Sequence, residues 1–581
     1  MIKIVSAIFI AVKEKVDKIN PILLAMTLFM IFSLLSLATY NRTTAGGDMA
    51  EYINNPLRVI NGELPYRDFW LLFPPGEVFL PALIYRVFGL NINILLIFSI
   101  VISAFVGLFS FLLGRSIFRD NFFATIVAML VFFNGITRWY LGYTYIHMYF
   151  LLLLISALLF IKYLRNNGAI ELFLAGIFIG LAFLFKLYVV GAAFLAFFLT
   201  IFIHSKFDAK TFTHSIKLVA VFCSGVLLVV GLASLALIDI WQPMVKEIAI
   251  ESLSHGTSMN RPYFTNSISY LGLILTDLKE AWETSGYFYV VKIFYHLANF
   301  INVTLSHLLP FPLVGISIWY LVGKKLEKSD KVVLLFFLLW GMFTFPKALG
   351  RSDMSHLAHS ITPLFFLLIF LLQKSIEKIE ENKTSFGKFI TYGFVVITFL
   401  LLVSVPLFLV QTGFALVRSH YEVSTKYGTL LFQNESEAKN VNAVISFINK
   451  NTDEGDYIFV TPWFAPPFYA LTNRKNPTYY DSLIDLVARP SDEKQKRVCN
   501  EILNKDTKLI IHYADWGFDN KEERQFLNTC PILQRCIEDN FELVERHGRY
   551  WIYTKRILET SHEAFNNKYY QRMKRRGLHT H

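Results

Sequence analysis

Long hydrophobic runs set the frame of this chain. Residues 21–40 (PILLAMTLFMIFSLLSLATY) carry no charge and are long enough to cross a bilayer as a helix, which takes about 20 residues. Comparable runs fall near 92–114, 122–137, 146–161, 169–185, 187–203, 218–238, 301–323, 332–346, 358–373 and 389–410, which predicts about eleven spans. Helices are the form that satisfies them, because a lipid interior offers backbone amides no partner except one another. Lys13, Lys15 and Lys18 precede the first run and no small-residue cleavage site follows it, so that run reads as a retained anchor.

From residue 411 the pattern changes. Residues 437–450 place Val441, Val444, Ile445 and Ile448 on one helical face. YIFV at 457–460 and LIIHY at 509–513 read as buried strands, and FELVERHGRYWIY at 541–553 reads as a hairpin turning at His547-Gly548. The predicted organisation is a segment over 1–20, a transmembrane body over 21–410 with a first outer loop at 41–91, a soluble α/β domain over 411–567 and a basic tail over 568–581. Cys499, Cys530 and Cys536 lie in that domain. They allow one disulfide in an oxidising compartment and serve equally as buried thiols.

Composition agrees with the pattern. The chain is 54% hydrophobic and only 17% charged, which excludes an ordinary soluble protein, and its 56 phenylalanines exclude a disordered one. The net charge of +11 has a location. The 1–20 segment and the loops at 115–120, 162–168, 204–217, 324–331 and 374–388 together carry +10, and all lie on one side of the eleven-span arrangement. The positive-inside rule makes that side cytoplasmic. The chain is then a multi-pass protein of the plasma membrane, with residues 41–91, 240–300, 347–357 and the terminal domain outside. The tail from Lys568 adds +5 and suits anionic headgroups in that position, so no nucleic acid partner is expected.

The first outer segment is the richest in candidate chemistry. Asp48 follows two glycines directly after the first span, which sets a carboxylate at the membrane surface. An N-cap role for Asp48 is equally readable, since MAEYI begins a helix. Ile53, Leu57 and Ile60 then repeat at helical spacing, as in a helix lying in the interface with its apolar face down. PYRDF supplies Arg67 and Asp68, which could also simply pair with each other, and Pro74-Pro75-Gly76 breaks the chain before a second amphipathic run.

These segments, in this order, resemble the GT-C superfamily of membrane glycosyltransferases, particularly the branch related to protein mannosyltransferases and the lipid A aminoarabinose transferase. The resemblance rests on the first span followed by GGDMAEYI, then PYRDF, then FPPGEVFLPALIYRVFG, and extends through the many-span body to the terminal domain. It implies a sugar donor carried on a polyprenyl phosphate, an acceptor glycan, lipid or protein, and Asp48 as the catalytic carboxylate. Two positions depart from the pattern. Met49 follows Asp48 where relatives carry a second acid, leaving Glu51 as the next one, and Phe73 stands where the aminoarabinose branch has a lysine before Pro-Pro. The phosphate-binding role of that lysine must fall elsewhere in this chain.

Such chemistry needs a carboxylate to take the proton of an acceptor hydroxyl and cations to meet the phosphate that leaves. The loop PKALGRSDMSHLAHS at 346–360 concentrates Lys347, Arg351, Asp353, His356 and His359 on the predicted outer side. Its Arg-x-Asp-x-x-His-Leu pattern also recurs in GT-C relatives; snorkelling into headgroups is the alternative. Lys186 interrupts an apolar stretch and either meets a phosphate or snorkels, and Arg138 lies in an aromatic cluster that also suits an interface belt. The outer segment 240–300, with His255 and Arg261, reads as a connecting loop or as a lid over the acceptor. NRKNPTYY at 473–480 suits acceptor binding or domain docking. No cofactor is required by these motifs, and a divalent metal on Asp48 is compatible with them. Direct attack assisted by one base implies inversion at the anomeric carbon. A flippase for lipid-linked saccharides, or a polymerase or ligase using them, is the competing expectation.

Overall fold

The structure is a computed structural model. It describes residues 11–42, 47–139, 142, 144–207, 212–251, 261–284, 287–323, 326–381, 385–461, 465–480, 491–514 and 525–556. The basic tail and residues 252–260, His255 included, lie outside the described residues.

Each predicted apolar run falls on helix. Among the described residues, eight helices are long and apolar enough to cross a membrane, or ten if two bent pairs each count as one span. The first bent pair joins Ala11–Asp17 to Pro21–Leu37 at 104°, and the Asn20 side chain caps the second helix by accepting from Ile22 N at 2.9 Å. The second pair, Lys292–Leu308 and Pro310–Val322, bends by 41° where a proline removes a helical donor. The apolar helix Ala169–Phe183 is shorter, at 15 residues. It packs closely on Phe212–Ala236 because Gly176 and Gly225 leave room for backbone; a Cβ at Gly176 would collide with the Phe222 carbonyl, and one at Gly225 with the Phe173 carbonyl.

Local caps fix the turns between spans. Asn91 accepts from Asn93 N at 2.9 Å to start Ile92–Phe118, and Asp120 accepts from Phe123 N at 3.0 Å to start Asn121–Asn134. At that same end Asp17 accepts from the backbone of Asn121 and Phe122 at 2.9 and 3.0 Å, while Lys13 pairs with both Asp17 and Asp120.

The terminal domain begins with a hairpin, β1 (Tyr421–Thr425) and β2 (Gly428–Phe432), that the sequence pattern did not reveal. The helix Glu435–Asn451 follows and buries the four predicted residues Val441, Val444, Ile445 and Ile448. A four-stranded sheet runs in the order β3 (Ile458–Thr461), β4 (Leu509–Tyr513), β6 (Tyr550–Lys555), β5 (Phe541–His547). β3 and β4 are parallel, with Ile458 opposite Leu509; the β5–β6 hairpin is antiparallel and turns at Gly548, whose φ is 56°. A disulfide between Cys499 and Cys536 joins the helices Asp492–Asn504 and Pro531–Asn540, and Cys530 stays a buried thiol.

The domain is clamped to the helical body. Backbone Ile92 N donates to Tyr427 O at 2.8 Å, Leu431 N to Asn41 O at 2.9 Å, and Thr429 N to the Asn93 side chain at 2.8 Å. Trp70, from the first loop, is buried in the domain's own core beside Phe459, Tyr479 and Ile510. NRKNPTYY is the receiving surface: Trp70 N donates to Tyr479 O at 2.7 Å, Tyr479 OH to Tyr66 O at 3.0 Å, and Arg58 to Thr478 O at 2.8 Å. That stretch therefore docks the domain. Replacing Trp70 by Ala removes a fully buried side chain at a cost of about 3–5 kcal/mol. Thermal unfolding and limited proteolysis of the Trp70→Ala protein are expected to show a lower midpoint and earlier cleavage of the terminal domain.

Candidate functional site

Asp48 opens the helix Asp48–Ile60 directly after Gly47, whose φ of 66° suits glycine. Gly47 is the N-cap and no side chain caps this helix, so the carboxylate of Asp48 is not engaged as a cap. The helix differs from the expected interfacial one. Tyr52, Ile53, Asn54, Asn55, Leu57 and Arg58 are all buried, because the helical body covers one face and the terminal domain the other. Asn54 accepts from Ala470 N at 3.1 Å on the domain side.

Solvent reaches the Asp48 side chain although protein atoms surround it densely. Burial pushes its carboxyl above the ordinary range, opposed by Arg351 and then Lys186, with Asp353 adding a small further rise. Arg351, Lys186 and Asp353 thus all lie within electrostatic reach of Asp48.

Lys186 occupies the turn between Ala169–Phe183 and the helix starting at Leu187. The Pro-Pro-Gly break docks on this turn. Gly76 N donates to Leu184 O at 2.7 Å, and a Cβ at position 76 would strike that same carbonyl. Phe73 is thereby carried beneath Lys186, whose Nζ stands 3.5 Å from the Phe73 ring centroid and 5.5 Å from that of Tyr145. Lys186 and Phe73 thus meet although they come from separate elements.

The break also delivers a residue that sequence reasoning missed. Glu77, in the first turn of Gly76–Phe88, is buried, and its Oε2 has no hydrogen-bond partner among the described residues. Burial pushes its carboxyl up to about 8, against the pull of Lys186 and helped by the Asp48 charge. Burial likewise pushes Lys186 down to about 7, aided by Lys347 and opposed by Glu77 and Asp48. A buried acid inside an FPPGEVF run was the available signal, but helix N-termini carry glutamates routinely.

The 346–360 loop supplies the facing wall. Lys347 ends the helix Lys328–Gly350 and faces Lys186 electrostatically. Asp353 binds Arg351 Nε at 2.7 Å, His356 Nδ1 at 2.6 Å and His356 N at 3.0 Å, which orders the start of Met354–Glu381. Burial would raise the Asp353 carboxyl, but His356, Ser355 and Arg351 hold it well below the carboxylate range. His359, one turn along, is hydrogen-bonded to Tyr149 OH. Arg261 meets Arg351 in a backbone bridge, so the 240–300 segment touches this loop.

Other predicted residues lie apart from this set. Arg67 and Asp68 pair with each other at 2.7 and 2.9 Å, and Asp68 also accepts from Leu64 N at 2.8 Å. Arg138 is buried against Trp139 and bonds Asn299 at 3.3 Å and Gln411 at 3.5 Å. Glu51 is half-buried one turn beyond Asp48. Among the described residues no three His, Cys, Asp or Glu side chains converge as metal ligands.

No protein family model and no curated protein sequence matches this chain. Among solved structures it is similar to ArnT from Cupriavidus metallidurans bound to undecaprenyl phosphate, at 10% identity and a TM-score of 0.49, over 91% of this chain and 97% of that one. It is also similar to the oligosaccharyltransferase of Archaeoglobus fulgidus in complex with zinc and sulfate, at 14% identity and a TM-score of 0.45, over 91% and 73% of the two chains. The archaeal oligosaccharyltransferase AglB of the same organism, with an inhibitory peptide and a dolichol-phosphate, gives 13%, 0.45, 93% and 75%. ArnT and AglB are GT-C proteins.

The buried pair makes stability depend on pH with a defined sign. Folded Glu77 keeps its proton up to about 8, whereas an unfolded glutamate releases it near 4.5. Between those values the unfolded chain binds fewer protons, so this contribution to stability falls as pH rises. Melting temperatures of the Glu77→Gln protein across that window are expected to lack this downward component; parallel curves for variant and parent would refute the burial of a protonated Glu77.

Proposed function

We propose that the chain is an integral membrane glycosyltransferase that takes a sugar from a polyprenyl-phosphate donor and delivers it to an acceptor on the outer face of the plasma membrane. One observation carries this reading: an accessible carboxylate, Asp48, stands within electrostatic reach of Arg351 and Lys186, with Lys347 near Lys186. A lipid phosphate arriving through the bilayer meets cations there, beside a base that can receive a hydroxyl proton.

The roles follow from charge. Asp48 accepts the proton of the acceptor hydroxyl as oxygen attacks the anomeric carbon, an assistance of about 10²–10⁴-fold. The bond to phosphate breaks on the opposite side, and Lys186, Lys347 and Arg351 compensate the charge that develops. Lys186 takes the part of the lysine missing before Pro-Pro. Asp353 acts through others, fixing Arg351 and His356. Glu77 is a second carboxyl near Asp48, but burial keeps it protonated near neutrality, which makes it a hydrogen-bond donor and a poor covalent nucleophile. Inversion is therefore the outcome we propose. No step is routed through a metal.

Two independent features support the outer placement. The basic loops alternate onto one side of the expected spans, the side away from the terminal domain, and the Cys499–Cys536 disulfide suits an oxidising compartment.

In purified protein supplied with lipid-phosphate sugar and membrane extract, Asp48→Asn is expected to lower turnover by 10²-fold or more, with lipid-phosphate binding retained. Lys186→Met is expected to weaken donor binding. Full turnover by Asp48→Asn would refute the base, and unchanged donor binding by Lys186→Met would remove that cation from the site.

A further inference from the structure

The terminal domain contains a cleft of about 460 Å³, well separated in sequence from the charged set around Asp48. One wall is the helix Glu435–Asn451, which presents Asn442, Ser446 and Asn449 on a single stripe at spacings of four and three. The opposite wall is the turn of the β1–β2 hairpin, with Ser424, Thr425 and Tyr427. Asn442 donates to Glu422 O at 2.9 Å and the Ser424 and Thr429 hydroxyls share a hydrogen bond at 2.8 Å, which leaves their remaining lone pairs, together with Ser446 and Asn449, to meet hydroxyl groups.

The charges lining the cleft balance, Lys426 and Arg474 standing against Asp453 and Glu454. Lys426 pairs with Glu454, which also accepts from Asn473 at 3.1 Å. Arg474, buried at the base, donates through all three nitrogens: to Thr452 Oγ1 at 2.9 Å, to Thr452 O at 2.7 Å, and to Thr472 O. The guanidinium is turned toward the Thr452 and Thr472 oxygens at the base, and with two cations against two carboxylates the cleft offers a ligand no net charge. The cleft's size falls within the range of small-ligand sites, about 300–1,000 Å³.

Its position is constrained as well. Tyr427 O accepts from Ile92 N at the first turn of a membrane span, so the hairpin wall stands on the helical body. Arg474 also faces the Asp48 helix, near Asn54, Leu57 and Arg58.

We infer that this cleft binds a neutral oligosaccharide, through the amide stripe of Asn442, Ser446 and Asn449 and the hydroxyls of the hairpin turn. Its identity as the acceptor of the transfer rests on the glycosyltransferase reading; its binding does not.

The test uses the full chain in lipid nanodiscs and saturation-transfer NMR, with maltotriose, mannotriose and chitotriose as probes and trigalacturonate as the anionic control. At least one neutral trisaccharide is expected to bind, and trigalacturonate is not. Ser446→Trp, an exposed position filled by a large ring, is expected to raise that dissociation constant roughly tenfold or more. Asn449→Trp replaces it if Ser446→Trp lowers the melting temperature. No binding by any neutral probe, equal binding of trigalacturonate, or unchanged affinity in the tryptophan variant overturns the proposal. Binding that persists in Asp48→Asn protein incapable of transfer supports the cleft and isolates any failure in the catalytic reading.

Discussion

An ammonium group held between aromatic rings at the edge of a hydrocarbon layer is tolerated only when carboxylates lie near enough to compensate it. Lys186 is held in that way, over Phe73 and near Tyr145, and much of the molecule serves to make its position possible. The Gly76–Leu184 hydrogen bond locks the Pro-Pro-Gly break against the turn that carries it. The same lock brings Glu77 within electrostatic reach of Lys186 and Asp48. Glu77, Lys186 and Asp48 each shift the others' proton affinity, so the set behaves as a unit rather than as separable contacts.

Lys347 and Arg351 belong to the same balance from the other side. Lys347 lies near enough to Lys186 for the two like charges to repel, and Arg351 repels Lys347 in turn. Asp353 offsets part of that repulsion by binding Arg351 and His356. The repulsion among these cations is a cost that the neighbouring carboxylates only partly offset.

What could be read from the sequence divides along physical lines. Spans are legible because every residue in a run obeys one constraint, burial in lipid, and the basic loops between them obey another. The helix at 437–450 and strands at 457–460 and 509–513 are legible because their cores follow simple periods. The β1–β2 hairpin was not, since YEVST and GTLLF are short and bury residues partly against the helical body. Asp48, Lys186, Lys347, Arg351 and Asp353 stood out as charges at membrane boundaries. Their convergence did not, because Lys186 and Phe73 are brought together by a backbone contact between residues far apart in sequence. Glu77 was invisible for the opposite reason: an acid in a helix's first turn is ordinary until the surrounding structure removes its water. The helix of Asp48 misled in a related way, as an amphipathic pattern records one apolar face and is silent about a second surface that covers the polar one.

That covering surface has a mechanical consequence. The Asp48 helix is gripped on one side by membrane helices and on the other by Ala470 and Thr478 of the terminal domain, through Asn54 and Arg58. Trp70 sits inside the domain core and its indole donates to Glu247 at 3.1 Å, so the 240–300 segment joins the same clamp. A rigid-body shift of the terminal domain cannot occur without moving the helix whose first residue is Asp48. The domain is therefore part of the geometry of the charged site, and an occupant of its surface acts on the same helix that positions the carboxylate.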